Sequence, residues 1–304
     1  MPEPGSEVRV EVEGRTLRLT NLEKVLYPAT GTTKAEVLDY YARIAPVLLP
    51  QLRDRAVTRI RWPHGVDGAS FYEKNTPPGT PAWVRTARVP TSGSRGASRH
   101  GDHLVFPVVD DLATLTWLAN LAALELHVHQ WRVGPTGRPR DPDRLVIDLD
   151  PGEPAGLGEC AEVALAVRER LGDVGLAARP VLSGSKGLHL YALLPRPRPA
   201  VETSALAQGI AEALQRDRPR QVTATMTRAR RSGKVFLDWS QNAASKTTVA
   251  PYSLRGRDRP TVAMPITWAE VVDLAADPLA LTPPDPAAAL ARVAAAGDAF
   301  TAEE

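Results

Sequence analysis

Two periods of apolar and polar residues run along this chain, and each predicts one kind of secondary structure. Period-two alternation over residues 8–12, followed by a turn at Glu13-Gly14, predicts an N-terminal β-hairpin. A helical period begins at Thr33, and Glu36 stands three residues further on as the second member of a capping box. The chain is therefore expected to open with a hairpin and to continue into a helix.

The same patterns divide the rest of the chain into short strands and amphipathic helices. Strands are predicted at 56–62, 69–73, 103–109, 125–131, 145–150, 179–183, 188–194, 222–226 and 234–239. Helices are predicted at about 110–125 with Asp110 as the cap, at 157–171, at 201–216, and twice after residue 267, the last at 286–296. Because helices and strands interleave without repeats, the predicted fold class is α/β, of the α+β kind with mixed sheets flanked by helices.

Two segments interrupt this regular pattern. The stretch from about residue 75 to 102 is rich in Pro, Gly, Ser and Thr and predicts a long mobile loop. Loops of this length are uncommon inside a compact domain unless they are functional. A second Pro- and Gly-rich stretch between 132 and 142 marks only a soft boundary. One domain is therefore predicted, with two parts that meet near residue 135.

Composition removes several functional classes. With 304 residues the chain can bury a substantial core, and no apolar run approaches the roughly 20 residues of a membrane span. The N-terminus lacks the basic and then apolar pattern of a secretory signal, so a cytoplasmic location is expected. The single cysteine, Cys160, excludes an internal disulfide framework and a cysteine-based zinc site.

The charge balance leaves phosphate partners open. The formal net charge is +2, which argues against a strongly basic coat for nucleic acid. Only six of the 37 basic residues are lysine, however, and arginine binds phosphate bidentately. A GC-rich genome would produce the same excess of arginine, so composition alone does not decide between these explanations.

Asp148 and Asp150 stand at the end of the apolar run 145–147. On a strand their side chains share one face, where two carboxylates repel each other unless a cation lies between them. Divalent ions such as Mg²⁺ or Mn²⁺ favour oxygen ligands and keep open positions for phosphate. A third carboxylate, Asp238, lies near the end of a later strand-like run. The alternative interpretation is a solvated strand end that enters a turn.

A glycine-rich turn between two predicted strands spans residues 183–187 and contains Ser183 and Lys186. Glycine lets backbone amides approach a ligand, and hydroxyl and ammonium groups suit a polyphosphate. The turn lacks the spacing of a Walker loop and leads into a strand instead of a helix. A β-hairpin with a polar turn stays open as the alternative.

Cationic side chains flank Asp238 on both sides in sequence. They are Arg228, Arg230, Arg231, Lys234, Lys246, Arg255 and Arg257. Charge runs of this kind are usually solvated faces. Carboxylates that hold a metal, surrounded by cations that hold phosphate, are nevertheless typical of phosphoryl or nucleotidyl transfer.

The neighbours Phe71 and Tyr72 are aromatic candidates for nucleic-acid binding. Adjacent residues on a strand face opposite ways, so one ring is expected in the core and the other outward. The outward ring would lie near Arg59 and Arg61, an arrangement that suits base stacking.

His127 shares one face of a predicted strand with His129 and Trp131. Zinc ligation is disfavoured, because no third ligand stands at a suitable spacing. A histidine that is merely hydrogen-bonded is the simpler interpretation of either residue.

Taken together, these segments resemble the archaeo-eukaryotic primase-polymerase superfamily, and within it the polymerase domain of bacterial ligase D, an enzyme of non-homologous end joining. The matching segments follow in order over residues 17–285; they are 19–28, 71–75, 111–117, 125–127, 143–152, 183–189, 238–242 and 247–256. The resemblance implies one primase-polymerase domain over 1–304. Its N-terminal part, about 1–135, would bind DNA ends and 5′ phosphate, and its second part, about 136–304, would hold the catalytic metals and the nucleotide.

The resemblance implies a nucleotidyltransferase, namely a template-dependent DNA/RNA polymerase that extends primers and prefers ribonucleotides. It would fill gaps and extend ends during repair of DNA double-strand breaks by non-homologous end joining. Asp148, Asp150 and Asp238 would hold two divalent ions per active site, Mn²⁺ or Mg²⁺, for a two-metal mechanism. Implied partners are DNA ends and gaps with a 5′ phosphate, NTPs or dNTPs, the end-binding protein Ku and a DNA ligase, in a bacterial cytoplasm and at its nucleoid.

The resemblance also implies roles for individual residues. Nucleotide-binding roles fall on His127, Ser183, Lys186, His189, Arg231, Arg255 and Arg257, together with the stacking pair Phe71 and Tyr72. Roles in binding the 5′ phosphate of DNA fall on Asn21, Lys24, Lys34, Arg59 and Arg61. The loop at 91–102 matches a family loop that helps to bridge two DNA ends.

Two other functions stay open at this point. A non-catalytic module that binds 5′-phosphorylated DNA ends would explain the cations but has no use for repelling carboxylates. A metal-dependent glycosyl or nucleotide-sugar transferase built on Asp148 and Asp150 would not explain Asp238 or the ordered segments. The sequence shows no lysine-centred ligase motif and no zinc-module pattern, so nuclease and ligase activities are not assigned. It also does not decide between a stand-alone protein and an excised domain.

Overall fold

The computed structural model describes residues 7–90 and 103–302. The helices of these residues are α1 (Lys34–Leu52), α2 (Leu112–Asn120), α3 (Leu157–Gly172), α4 (Ala200–Asp217), α5 (Trp268–Ala276) and α6 (Pro286–Ala296). The strands of the first half are β1 (Glu7–Val12), β2 (Arg15–Thr20), β3 (Val25–Tyr27), β4 (Thr32–Thr33), β5 (Val57–Arg61), β6 (Phe71–Glu73), β7 (Thr86–Pro90), β8 (His103–Pro107), β9 (Ala123–Val128), β10 (Trp131–Val133) and β11 (Pro139–Pro142). Those of the second half are β12 (Arg144–Pro151), β13 (Ala178–Leu182), β14 (Leu188–Leu193), β15 (Val222–Thr223), β16 (Val235–Asp238), β17 (Thr248–Val249), β18 (Leu254–Arg255), β19 (Thr261–Val262) and β20 (Met264–Pro265).

A six-stranded sheet carries most of the second half, in the strand order β15-β16-β12-β14-β13-β20. Its neighbours are antiparallel except for β15 and β16, which run parallel. Helices α3 and α4 pack on β12, and α5 packs on α3. Leu145, Val146 and Ile147 of β12 are completely buried. This central strand is therefore fixed in the core up to the point where its aspartates begin.

A four-stranded sheet in the order β17-β9-β5-β6 carries the first half. Helices α1 and α2 pack on each other, and the Tyr41 hydroxyl of α1 donates to the Leu124 carbonyl of β9 at 2.7 Å. β17, which follows Asp238 in sequence, joins this sheet through β9. One hydrophobic cluster, with members from Leu17 to Phe300, spans both sheets. The mixed α/β fold class predicted from the sequence is confirmed, whereas the two-part division near residue 135 stays a prediction.

The N-terminal predictions are confirmed in detail. β1 and β2 form the expected hairpin, with Glu13 and Gly14 at positive φ in the turn. Thr33 caps α1, and the Glu36 carboxylate accepts from the Thr33 amide at 2.7 Å, which completes the capping box.

The predicted helix 110–125 is wrong at both ends. Asp111, not Asp110, caps α2, because the Asp110 carboxylate instead accepts from the Asp54 amide and pairs with Arg85. The helix ends at Asn120, and Ala122 takes a positive φ of 57° before β9 begins. Residues near 125 are therefore part of a strand.

The predicted loop at 75–102 is also only partly correct. β7 lies inside it and pairs with β8 along its whole length, over a small buried cluster that includes Phe106 and Trp131. The part at 91–102 lies outside the described residues. No helix in the described part of the chain is long and apolar enough to cross a lipid bilayer.

Candidate active site

Three aspartates come together where β12 and β16 pair. Asp148 lies directly opposite Asp238 in this antiparallel pair, and Asp150 lies opposite Phe236. Directly opposed side chains share a face of a sheet, as do side chains two residues apart on one strand. The three carboxylates therefore project from the same face.

Burial and mutual repulsion perturb these carboxylates. Burial, together with the charges of Asp148 and Asp238, raises the pKa of Asp150 to about 6, although the nearby His189 and Arg231 act in the opposite direction. Carboxylates that share a site repel one another in this way. Burial and repulsion thus disfavour the ionised form of Asp150, and an oxygen donor set of this kind fits Mg²⁺ or Mn²⁺.

The Asp238 carboxylate accepts hydrogen bonds from two side chains that the sequence analysis did not identify. Its Oδ1 accepts from the Ser240 hydroxyl at 2.6 Å, and its Oδ2 accepts from Nε2 of Gln241 at 3.0 Å. The same Gln241 amide lies 3.5 Å from Oδ2 of Asp148. Across residues 7–90 and 103–302, no three Asp, Glu, His or Cys side chains are arranged to hold a metal ion as they stand. The Gln241 amide would have to move before Asp148 and Asp238 shared a cation.

His189 lies on the other side of Asp148. The two residues are directly opposed on β14 and β12, and Nε2 of His189 is 3.4 Å from Oδ1 of Asp148. Its Nδ1 is buried without a hydrogen-bond partner among the described residues. The structure therefore places this predicted nucleotide-binding residue against a carboxylate of the candidate metal site.

The predicted phosphate-binding turn packs directly on the aspartate strand. The Ser183 hydroxyl accepts from the amides of Ser185 and Gly187, each at 3.2 Å. A Cβ on Gly187 would lie 2.0 Å from the Leu149 carbonyl oxygen, so only glycine allows this close approach. Lys186 extends into solvent and pairs with Glu153 at 2.9 Å. The turn is a hairpin, as the alternative interpretation had it, with the Ser183 hydroxyl bound by the turn's own amides and Lys186 on its exposed side.

A buried carboxylate that sequence reasoning gave no role, Glu125, joins two of the predicted nucleotide-binding residues. Its Oε2 accepts from Nε2 of His127 at 2.8 Å, and its Oε1 lies 3.2 Å from Nε of Arg255. Burial alone would raise the pKa of Glu125, but the His127 hydrogen bond and the Arg255 charge lower it to about 2. The sequence contained one signal for the contact between Glu125 and His127: residues two apart on a strand share a face.

The other predicted cations of this region differ in their surroundings. The guanidinium of Arg231 stacks on the Phe236 ring at 3.6 Å and acts electrostatically on Asp150. Arg257 is exposed next to Gly256. The structure thus brings Arg231 to the carboxylates and leaves Arg257 on the surface.

Both aromatic residues of the predicted stacking pair are exposed, which corrects the expectation that one enters the core. Phe71 is 47% and Tyr72 is 57% exposed, on the three-residue edge strand β6. Tyr72 lines a groove of about 1350 Å³ together with His127, Gln241 and Lys246. Its hydroxyl lies 3.2 Å from Oγ1 of Thr247.

The two predicted phosphate-binding arginines of β5 are held by a carboxylate instead. Arg59 is buried and donates to Glu73 at 2.5 Å and to the Asn75 carbonyl at 2.8 Å. Arg61 pairs with the same carboxylate at 3.0 Å and donates to the Leu121 carbonyl. Sequence reasoning missed Glu73 as a counter-ion. The structure does not place Arg59 with Lys24 and Lys34, although the charge of Arg61 acts on Lys34.

Lys24, Lys34 and Arg61 bring three positive charges together at the start of α1. Lys34 is buried, and its ammonium donates to the carbonyl oxygen of Thr20 at 2.5 Å, a neutral acceptor. Burial, followed by the charges of Lys24 and Arg61, lowers the pKa of Lys34 to about 8. Asn21 lies in the preceding turn at positive φ. Arg61 is paired with Glu73, but the Lys34 ammonium has only a neutral acceptor, so the cluster forms a candidate anion pocket.

His129 and Cys160 have structural contacts. His129 stacks on Trp131 with ring centroids 4.2 Å apart and bonds the Ala56 carbonyl, and burial lowers its pKa to about 3. The Cys160 thiol donates to the Leu149 carbonyl at 3.7 Å, and burial raises its pKa. The hydrogen-bonded interpretation holds for His129.

Comparison with known proteins identifies the family of the chain. The family model described as LigD, primase-polymerase domain, matches residues 33–300. The multifunctional non-homologous end joining DNA repair protein LigD of Mycobacterium tuberculosis is 51% identical over 260 residues, covering 84% of this chain and 33% of that protein. The bifunctional non-homologous end joining protein LigD of Bacillus subtilis is 36% identical over 256 residues, covering 84% of this chain and 39% of that protein. The chain thus spans between about a third and two fifths of the length of these relatives.

A solved structure matches the fold as a whole. It is the polymerase domain from Mycobacterium tuberculosis ligase D in complex with DNA, with a TM-score of 0.85 and 47% sequence identity. The match covers 93% of this chain and 96% of that chain. The resemblance seen in the sequence is confirmed, and the chain belongs to the family of LigD primase-polymerase domains.

Proposed function

We propose that this chain is a template-dependent polymerase that extends primers at DNA gaps and ends. The observation that carries the proposal is the direct opposition of Asp148 and Asp238, with Asp150 on the same face. The turn that contains Ser183 packs against β12. A groove is lined by Gln241 and by the exposed Tyr72. Carboxylates, a phosphate-binding turn and an aromatic groove together suit nucleotidyl transfer on nucleic acid.

Asp148, Asp150 and Asp238 would hold the divalent ions, Mn²⁺ or Mg²⁺, two per active site. The donor set fits because all three side chains offer carboxylate oxygens and because burial and the neighbouring carboxylates raise the pKa of Asp150. Bound ions would stabilise both the attacking and the leaving oxygen of an in-line displacement.

The surrounding cations would bind and orient the nucleotide. Ser183 and Lys186 on the turn, with His127 and Arg255, would bind the triphosphate. The primer 3′ hydroxyl would lose its proton to solvent as its oxygen bonds to the α-phosphorus, and the bond from that phosphorus to the leaving pyrophosphate would break. Tyr72, with its exposed ring, would stack on a base in the groove.

The cationic cluster of Lys24, Lys34 and Arg61 would bind the 5′ phosphate on the far side of a gap. The names of the relatives describe non-homologous end joining, and the solved polymerase domain is in complex with DNA. We assign the same repair process to this chain, with gapped and broken DNA as substrate, ribonucleotides as the preferred nucleotides, and Ku and a DNA ligase as partners.

A primer-extension assay on DNA with a one-nucleotide gap and a downstream 5′ phosphate tests the proposal. We expect addition of the templated nucleotide, faster with Mn²⁺ than with Mg²⁺ and faster with an NTP than with the matching dNTP. No addition with either metal and either nucleotide would overturn it.

One observation favours a second candidate, a module that binds 5′-phosphorylated ends without catalysis. The anion pocket at Lys34 does not involve the aspartates, so it would work without them. Tight binding of the gapped duplex with no extension would support this candidate.

A further inference from the structure

Glu125 connects two segments of the proposed nucleotide site, strand β9 and the segment that begins at β18, through one carboxylate. Only 4% of the residue is exposed. One oxygen accepts from His127 on the same strand, β9, at 2.8 Å. The other accepts from the Gly256 amide at 3.0 Å and lies 3.2 Å from Nε of Arg255. Both oxygens are thus engaged, one within β9 and one by the segment that begins at β18.

Arg255 is held on several sides at once. Its Nη1 donates to the Ser183 carbonyl at 2.7 Å, which ties it to the glycine-rich turn. Its own carbonyl accepts from the Tyr27 hydroxyl at 2.9 Å. Nε of Arg255 has no aligned hydrogen bond among the described residues, so its attraction to Glu125 is one of charge. The aligned bond to that oxygen comes from Gly256.

Close packing fixes the backbone next to Arg255. A Cβ on Gly256 would lie 2.3 Å from the ring of Trp62, so the glycine sits directly against the indole. The Gly256 amide is thereby presented to Glu125 at a fixed position. The packed segment thus fixes the Arg255 backbone, and the bond to the Ser183 carbonyl holds its guanidinium.

The carboxylate is needed in its ionised form. The pKa of Glu125 is lowered to about 2, despite the opposing effect of burial, by the His127 hydrogen bond and the Arg255 charge. Removing one member of a buried ion pair leaves the other charge uncompensated. Burial lowers the pKa of His127, so the Arg255 guanidinium is the charge that the Glu125 carboxylate compensates.

We propose that Glu125 is a positioning residue for nucleotide binding, which holds His127 and Arg255 in the orientation that receives the triphosphate. The inference rests on the proposed polymerase function and adds a residue to it. Side chains that are ordered before the ligand arrives lose less freedom on binding. Because His127 and Arg255 would contact the nucleotide both before and during the reaction, loss of their orientation weakens nucleotide affinity more than the rate at saturation.

The test compares nucleotide and DNA binding in the variant Glu125→Gln, which keeps the shape and removes the charge. We expect KM for the templated NTP, and its equilibrium Kd with Ca²⁺ in place of Mn²⁺, to rise about 10- to 100-fold. We expect kcat to change by less than about threefold. Affinity for the gapped duplex without nucleotide should stay at the wild-type value, because His127 and Arg255 are not part of the Lys34 cluster.

Glu125→Asp provides a second variant that keeps the buried charge. Its carboxylate is one methylene shorter and cannot reach His127 and Arg255 together, so we expect a KM between those of the wild type and Glu125→Gln. This variant also tests the proposal if Glu125→Gln does not fold.

Glu270→Gln is the matched control. Glu270 is part-buried, pairs with Arg292 at 2.6 Å and bonds the Thr267 amide at the start of α5, away from the nucleotide residues. It should lower the melting temperature while KM for NTP stays at the wild-type value.

Two results separate the inference from the function on which it rests. Wild-type KM and Kd for NTP in both Glu125 variants, or an equal loss of NTP and DNA affinity, would overturn the positioning role alone. A wild-type protein that binds no NTP and extends no primer would overturn the proposed function, and the inference with it.

Discussion

Asp148 on β12 lies directly opposite Asp238 on β16 in an antiparallel pair at the edge of the candidate active site. Like charges in directly opposed positions destabilise a sheet. The Gln241 amide, 3.0 Å from Asp238 and 3.5 Å from Asp148, relieves only part of this repulsion. The arrangement is costly without a cation, which favours function over packing as its explanation.

Asp150→Asn should stabilise the protein in metal-free buffer near neutral pH. The pKa of Asp150 is raised to about 6 from a value of 3.8 outside the fold. The folded protein therefore binds this proton more tightly, and the associated stability is lost as the pH rises from about 4 through about 6. We expect a gain on the order of 1–3 kcal/mol in the free energy of unfolding at about pH 7.5, measured by denaturant titration in EDTA.

Two further measurements make this result specific to the carboxylate cluster. The difference between Asp150→Asn and wild type should vanish at about pH 4, where wild-type Asp150 is protonated. Added Mn²⁺ should stabilise the wild type more than the variant. A variant that is less stable than wild type in EDTA at every pH would contradict this account of the cluster.

Sequence alone predicted the interactions that are local. The Thr33–Glu36 capping box involves two residues one helical turn apart, and the shared face of Asp148 and Asp150 follows from the period of a strand. Asp238 could be placed opposite Asp148 only by the register of two strands that are far apart in sequence.

Ion pairs between residues on different strands could not be predicted from local patterns either. Arg59 has the same pattern as a phosphate-binding arginine, but the fold brings Glu73 to it at 2.5 Å. Likewise, nothing in the local sequence shows that Glu125 meets Arg255, since they lie on strands of different sheets. Both cases depend on pairings that only the fold determines.

Lys34→Met should erase any preference for a 5′-phosphorylated gap. Lys34 is a buried cation beside Lys24 and Arg61, so a phosphate would supply the missing negative charge. We expect wild type to bind the phosphorylated gap about 10-fold or more tighter than the hydroxyl-ended gap, and the variant to bind both alike. Fluorescence anisotropy at a fixed salt concentration measures both affinities.

The same preference should depend on pH. In the folded protein without a bound phosphate, the pKa of Lys34 is about 8. The preference should therefore weaken as the pH rises above that value and the lysine loses its proton. Lys234→Met is the matched control, since Lys234 donates to the Pro219 carbonyl outside this cluster. Lys234→Met should leave the ratio of the affinities for the phosphorylated and the hydroxyl-ended gap unchanged. If Lys34→Met also left this ratio unchanged, Lys34 would not bind the 5′ phosphate.

Gly256→Ala should destabilise the protein and weaken nucleotide binding together. The new Cβ would lie 2.3 Å from the Trp62 ring, so the segment that carries Arg255 must shift. We expect a loss of about 1–3 kcal/mol in the free energy of unfolding and a raised KM for NTP.

Gly209→Ala in α4 is the control. A Cβ there meets nothing within 4 Å, so a gain of roughly 0.5–1 kcal/mol in the free energy of unfolding is expected. Wild-type stability in Gly256→Ala would show that the contact is not tight.

The central claim is that Asp148, Asp150 and Asp238 hold divalent ions for nucleotidyl transfer. The most direct measurement is single-turnover nucleotide addition on a 5′-phosphorylated gapped duplex with Mn²⁺, for wild type and Asp148→Asn, alongside the affinity for the same duplex. Asp217→Asn, which breaks the surface pair with Arg170, serves as the control. We predict a loss of about 1000-fold or more in the rate for Asp148→Asn, with duplex affinity within about threefold of wild type. Undiminished addition by Asp148→Asn would contradict the account.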